Sequence, residues 1–554
     1  MKETARDAAA AVAEALDREQ FAEAARLLDS AVRRWPANAK LQALKGALLE
    51  KAQGGAQAAL HYAGLAENPA TARLAARRLS RLVRKGAVTP EIAAELVRRV
   101  SDSFIEAADK ERILHTVIGQ VGAERRHELL ELLGSSGIFE YEWELAVRKA
   151  ERGDFDGALE ILDLARREGR TSVPGLSLLA ELYALSQRLP DAIALTAQLL
   201  EEHRNQPEYY LRLASLLQRK SDFALTGNVI EAAIRRWPHN WLLLTRLHRM
   251  PVDPTSFETI FGVIADDAED ALDSDERFRL QFALLCLHVD QIERAQELLS
   301  RPFAAPLSAI SGAVLKTLAA RSPERWRNGS RLVDDRCAEV QIARTDHPRA
   351  TIIVPTGVSF ANLPLSLVDS LLADHAVNVV YLRDFANRGH LLGVRALGAS
   401  ESETIEALKT MVSDLGAPRT IVIGASAGGF AALRYGALLE ADFAISFSGP
   451  TDLRALFGGV KLSLANPEFF AKAMLERETD LALDLAPLLS KPRRTKSILF
   501  YGAEAAADAR QAQRLEGFPG VTLRPVAGIA DNAVLNRLIG DGSFDTFLEQ
   551  LIED

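Results

Sequence analysis

Hydrophobic residues recur every three or four positions through roughly the first 300 residues, a spacing that lines one face of an α-helix. After Arg336 the period changes, and short runs rich in Val, Ile and Phe alternate with helical stretches. The runs predict strands over Val340–Ala343, 350–354, Val377–Leu382, a segment leading into Ser426, Phe443–Phe447, 497–501 and Val521–Val526. Helices are predicted between them over 363–372, Glu401–Leu415, a stretch ending at Leu439, 508–515 and the C-terminal residues. Continuous apolar runs mark strands covered on both faces, so the alternation predicts a mostly parallel sheet between two helical layers. Residues 450–497 interrupt it with a largely helical, lid-like insertion.

The helical half repeats itself. Ala31-Val32-Arg33-Arg34-Trp35-Pro36-Ala37-Asn38 returns as Ala233-Ile234-Arg235-Arg236-Trp237-Pro238-His239-Asn240, with 202 residues from Pro36 to Pro238. That offset is about six periods of roughly 34 residues. Pro36 to Pro69 and Pro174 to Pro207 are each 33 residues apart. A bulky apolar residue precedes an alanine by three in Phe21/Ala24, Phe155/Ala158 and Ile292/Ala295. Such an alanine lets antiparallel helices approach closely, and the prolines are expected to end the second helix of each pair. Over about residues 5–300 the pattern resembles the tetratricopeptide repeat family, with 70–140 matching poorly. The resemblance implies stacked helix pairs whose concave face takes a protein or peptide; an irregular bundle that binds nothing is the plainer alternative. Trp35 and Trp237, at helix ends, read as packing anchors. The expected organisation is an all-α, solenoid-like block at 1–140, a second at 141–300, a junction at 301–337 with a helix near 307–320, and a three-layer α/β domain at 338–554.

Within the last domain, Ile421-Val422-Ile423 runs into Gly424-Ala425-Ser426-Ala427-Gly428, and an alanine-rich helical stretch follows at once. A serine at the apex of a sharp strand-to-helix turn adopts a strained backbone, so its second neighbours on each side must be small. Gly424 and Gly428 meet that need, and Gly429 lets the helix pack closely. The bland alternative is an ordinary tight turn. Together with the strand order, these residues resemble the α/β-hydrolase fold over about 338–554. That resemblance implies Ser426 as a nucleophile, followed along the chain by an acid and then a histidine. It also implies an oxyanion hole made by the backbone N–H of Ala427 and of Val358, or of its neighbour Gly357.

The resemblance is incomplete. All ten histidines lie at or before His390. Asn532 fits best where the histidine should stand, and an amide can neither take the Ser426 proton nor return it to a leaving group. Asp508 is the best match for the acid and Glu504 the second. The remaining base candidates are a water held by Asp531 or Asn532, and His390, whose loop follows a strand at the same sheet edge. As a surface-loop histidine, His390 would be unremarkable and Asp384 and Arg388 ordinary loop charges.

A formal charge of −9 and a pI near 5.7 argue against nucleic acid as the main partner. The basic run 491–496 reads as a solvated loop. Two cysteines, Cys286 and Cys337, are assigned to different domains and provide no disulfide framework; a reducing compartment suits them. No apolar stretch is long enough to span a bilayer, the first residues do not form a secretory signal, and the expected location is cytoplasmic. Neither cofactor nor metal is expected. Two functions stay open: a repeat-scaffolded serine hydrolase or transferase acting on acyl or ester groups, and an inactive hydrolase-like domain serving as a protein-binding adaptor.

Overall fold

The computed structural model describes residues 4–36, 38–134, 141–169, 172–266, 268–356, 360–385, 389–454 and 483–553. The chain divides into two compact units, Met1–Leu182 and Tyr183–Asp554.

The first unit is helical, most helices packing on a sequence neighbour. Ala24 and Ala158, the small residues of the repeat, are both fully buried. Helices continue through the poorly matching region, at Pro69–Arg84, Pro90–Ser101, Ala107–Gly119 and Ala123–Gly134. Several there also pack on the next but one. The prolines correct one expectation. Pro69 and Pro207 open helices at their first position instead of ending them. Proline is suited to that place because its missing N–H would have no intrahelical acceptor there. Pro36 and Pro238 do follow helix ends. The duplicated motif has a matching conformation in both units: Trp35 (φ −134°, ψ 68°) and Trp237 (φ −136°, ψ 67°) terminate one helix. Asn38 and Asn240 then cap the next, each accepting two backbone N–H bonds. Both indoles pack against the apolar core, as expected of anchors.

The second unit combines repeat helices with the sheet. Strands β1 (Val340–Ala343), β2 (Ala350–Pro355), β3 (Val377–Leu382), β4 (Thr420–Ala425), β5 (Phe443–Phe447), β6 (Lys496–Gly502) and β7 (Val521–Val526) lie in the order β1-β3-β2-β4-β5-β6-β7. Only β1 runs antiparallel; the other neighbours are parallel. β2, β3 and β5 are buried along their whole lengths, which is why they read as unbroken apolar runs. One hydrophobic core holds Ile260 and Phe282 from the repeat helices together with Ile352, Val354 and Phe447 from the sheet.

The junction is packed. Trp326 is fully buried and donates to the Leu318 carbonyl at 2.9 Å, and Arg331 pairs with the buried Asp369 at 2.8 Å. Cys286 and Cys337 fall within the same unit, against the expectation of separate domains, and both are free thiols. The C-terminal helix is two, Val534–Gly540 and Ser543–Glu553. Most of the expected insertion, 455–482, lies outside the described residues. No described helix is long and apolar enough to cross a membrane.

Candidate functional site

In a parallel sheet every strand delivers its following loop to one edge, so loops distant in sequence meet there. The carboxyl edge of this sheet gathers Thr356 after β2, Asp384 and His390 after β3, Ser426 after β4, Ser448 after β5, Asp508 after β6 and Asn532 after β7.

Ser426 occupies the turn between β4 and the helix Ala427–Leu439, at φ 53° and ψ −125°. A non-glycine residue rarely takes that conformation, which stores about 1–3 kcal/mol and persists only where its surroundings enforce it. Here they do. The Ser426 N–H donates to the Phe447 carbonyl at 2.9 Å, and its own carbonyl accepts from Gly429 at 2.8 Å. A Cβ on Gly424 would collide with the Gly428 backbone, and one on Gly429 with the Ser446 hydroxyl. Each of these glycines is therefore required by a close approach.

Ala427 faces a cavity of about 460 Å³, whose walls also include Thr356, His390 and Asn532 from the sheet edge. Its lining also includes His248 and Arg249, just after the helix Trp241–Leu247, and residues of the helix Glu276–His288. His390 is 1% exposed, which overturns its reading as a surface-loop residue. Its Nε2 lies 2.9 Å from the Thr356 carbonyl oxygen, and its Nδ1 is buried with no hydrogen-bond partner among the described residues. A carbonyl only accepts, so Nε2 is the nitrogen that donates to Thr356. Asp384 accepts the His390 backbone N–H at 3.0 Å, and Tyr435 donates to the His390 carbonyl at 2.7 Å. Asp384 is thus part of the His390 loop's internal bonding, not an ordinary loop charge. Arg388, Gly357 and Val358 lie outside the described residues.

Asp508 is half-buried. Burial raises its carboxyl above the usual range, the neighbouring Ser448 hydroxyl opposes that, and the Asp531 carboxylate adds to it. One Asp508 oxygen has no described hydrogen-bond partner. Glu504, the second candidate acid, instead clasps the β7 loop, accepting the Ile529 N–H at 3.0 Å. Asn532 is exposed on the cavity wall. Among the described residues, neither Asn532 nor His390 hydrogen-bonds the Ser426 hydroxyl.

The repeat-side wall escaped the sequence reading. Arg336 is buried, donating to the Leu247, His248 and Met250 carbonyls and to His288 Nδ1 at 2.7 Å. Burial pulls its guanidinium down to about 10 and pushes His248 down to about 3. Burial, then Arg336, hold His288 well below the usual imidazole range. No spacing in the sequence links these residues, because their meeting depends on the repeat helices packing over the sheet edge. No cluster of potential metal ligands occurs among the described residues.

A family model for the tetratricopeptide repeat matches residues 149–217. No curated protein matches the chain. Among solved structures, a capsule O-acetyltransferase of Neisseria meningitidis serogroup A is similar at 12% identity, covering 39% of this chain and 92% of its own, with a TM-score of 0.29. A hormone-sensitive lipase from a metagenome library is similar at 14% identity, covering 50% and 98%, with a TM-score of 0.26. Yeast Tom70 is similar at 11% identity, covering 59% and 91%, also with a TM-score of 0.26.

Proposed function

We propose that the sheet domain is a hydrolase-like acyl-transfer domain in which Ser426 is the nucleophile, and that the helical repeats hold the protein or peptide that carries or delivers its substrate. The supporting observation is the left-handed backbone of Ser426, enforced by collision-limited glycines beside a cavity. Packing alone gives no reason to keep a serine in that conformation. In the reaction, Ser426 Oγ bonds to the carbonyl carbon of an ester or thioester, and the Ala427 N–H supports the developing oxyanion. The bond to the leaving alcohol or thiol breaks, and the proton lost by Oγ ends on that group. Water or a second alcohol then takes the acyl group. Asn532 cannot relay the proton, so a slow reaction with good leaving groups is expected, and amide hydrolysis is disfavoured.

Incubation of the full chain with a fluorophosphonate tests this. Labelling of wild type that disappears in Ser426→Ala supports the reading; no labelling at high dose sinks it. The second reading, a non-catalytic binding domain, is favoured by one observation: no described side chain that could serve as base hydrogen-bonds the Ser426 hydroxyl. In that case Ser426→Ala would keep every binding function of the folded protein.

A further inference from the structure

Arg249 lines the cavity just beyond the helix Trp241–Leu247. No described carboxylate pairs with it, and the charged neighbour it feels is another cation, Arg246. Partial desolvation at the cavity wall and that like charge both disfavour its charged form, although the residue keeps contact with solvent. The guanidinium of Arg249 bonds none of the nearby carbonyls either, and those of Leu247, His248 and Met250 accept from Arg336. The cavity's acids give no relief: Asp334 is bonded to Arg383, and Asp384 to the His390 backbone. The same wall holds His248, with Nε2 on the Gln281 carbonyl at 3.1 Å, and His288, whose Nδ1 accepts from Arg336. The wall therefore contributes positive charge that the protein itself does not neutralise. The same cavity is also lined by the apolar residues Leu280, Leu284 and Phe360.

We propose that this cavity binds a carboxylate-bearing acyl ligand, with the Arg249 guanidinium on the carboxylate and the aliphatic part of the ligand against Leu280, Leu284 and Phe360. A guanidinium presents paired donors matched to the two oxygens of a carboxylate. A cavity of about 460 Å³ is sized for a small molecule rather than a folded partner. The placement of the ligand's acyl end at Ser426 rests on the acyl-transfer reading above; the recognition of its anionic end does not.

Calorimetric titration of the full chain with glutarate, neutral glutaramide and inorganic phosphate separates the two. Wild type should bind glutarate in preference to glutaramide and to phosphate. Arg249→Ala should weaken glutarate about tenfold or more while leaving glutaramide unchanged. Arg249→Lys should recover part of the loss, and circular dichroism should show all variants folded, since Arg249 lies outside the helix and its side chain bonds no described residue. Absence of glutarate binding, equal binding by wild type and Arg249→Ala, or tighter binding of phosphate than of glutarate would each overturn the proposal. Ser426→Ala should bind glutarate like wild type. Glutarate binding without any fluorophosphonate labelling would remove the acyl-transfer reading and leave the anion site; labelling without glutarate binding would do the reverse.

Discussion

His390 and Thr356 are joined side chain to main chain, with Nε2 of the buried imidazole 2.9 Å from the Thr356 carbonyl oxygen. Thr356 is the last described residue before 357–359, and its own N–H and hydroxyl both donate to Leu382 at 2.8 Å. His390 therefore pins the exit of β2 to the loop after β3. Glutamine places an amide N–H near where Nε2–H stands but cannot accept a proton. His390→Gln should keep stability within about 1 kcal/mol of wild type, whereas His390→Ala should lose about 1–3 kcal/mol by stripping a buried acceptor of its donor. Denaturant melts measure both. If labelling of Ser426 collapses in the stable Gln variant, His390 is the proton acceptor and not merely a brace.

The turn at Ser426 makes a steric prediction. Gly424→Ala places a methyl group against the Gly428 backbone, which cannot move without opening the turn. A loss of about 3 kcal/mol or failure to fold is expected. Gly312, inside the helix Leu307–Ala319 with open space where a Cβ would go, is the control: Gly312→Ala should stabilise by roughly 0.5–1 kcal/mol. Equal effects at the two sites would show that the turn is looser than described.

Two sets of histidines give opposite pH dependences. Burial opposes protonation of His375, but its bonds to Asp545 (3.2 Å) and Glu549 (2.6 Å) outweigh that, so its folded-state pKa lies above the unfolded value. Its contribution is complete below about pH 6.5 and is lost as pH rises through the folded value. For His248 and His288, depressed mainly by burial, the sign reverses. Their contribution is complete above about pH 6.5 and drains away as pH falls, for His248 towards its folded value of about 3. Melting temperatures of His375→Gln across pH 6–9 should be flatter than those of wild type. A variant that tracks wild type over that range would show His375 to be uncoupled from folding.

The strands were legible because β2, β3 and β5 are buried on both faces, so their apolar runs are unbroken and β-branched. The turn at Ser426 was legible because its constraint is local: a strained residue needs small neighbours two positions away. Prolines were misplaced because the same spacing suits a helix start or a helix end. His390 is legible as a candidate base, but its burial, and the places of Arg249 and Arg336, lie beyond reach for a different reason. Burial, lost partners and a shared cavity are products of loops and repeat helices meeting over the sheet edge, and no period along the chain records that meeting.

Restoring the missing base offers the sharpest test of the site. Asn532 lines the same cavity as Ala427, in the loop after β7. Across from that loop, Asp508 has an oxygen without a described partner, and its carboxyl is raised by burial and also by Asp531, so the two loops are electrostatically close. An imidazole at 532 would find Asp508 available to hold one ring nitrogen, leaving the other to take the Ser426 proton. A positioned base is worth about 10²–10⁴-fold. Asn532→His should therefore raise the rate of fluorophosphonate labelling and of p-nitrophenyl ester turnover by about a hundredfold. Adding Asp508→Asn should remove most of the gain, because the ring would lose its charged orienting partner. A folded Asn532→His protein that labels no faster than wild type would mean that position 532 does not face the serine, and the proton route would then have to run through the His390 side of the cavity.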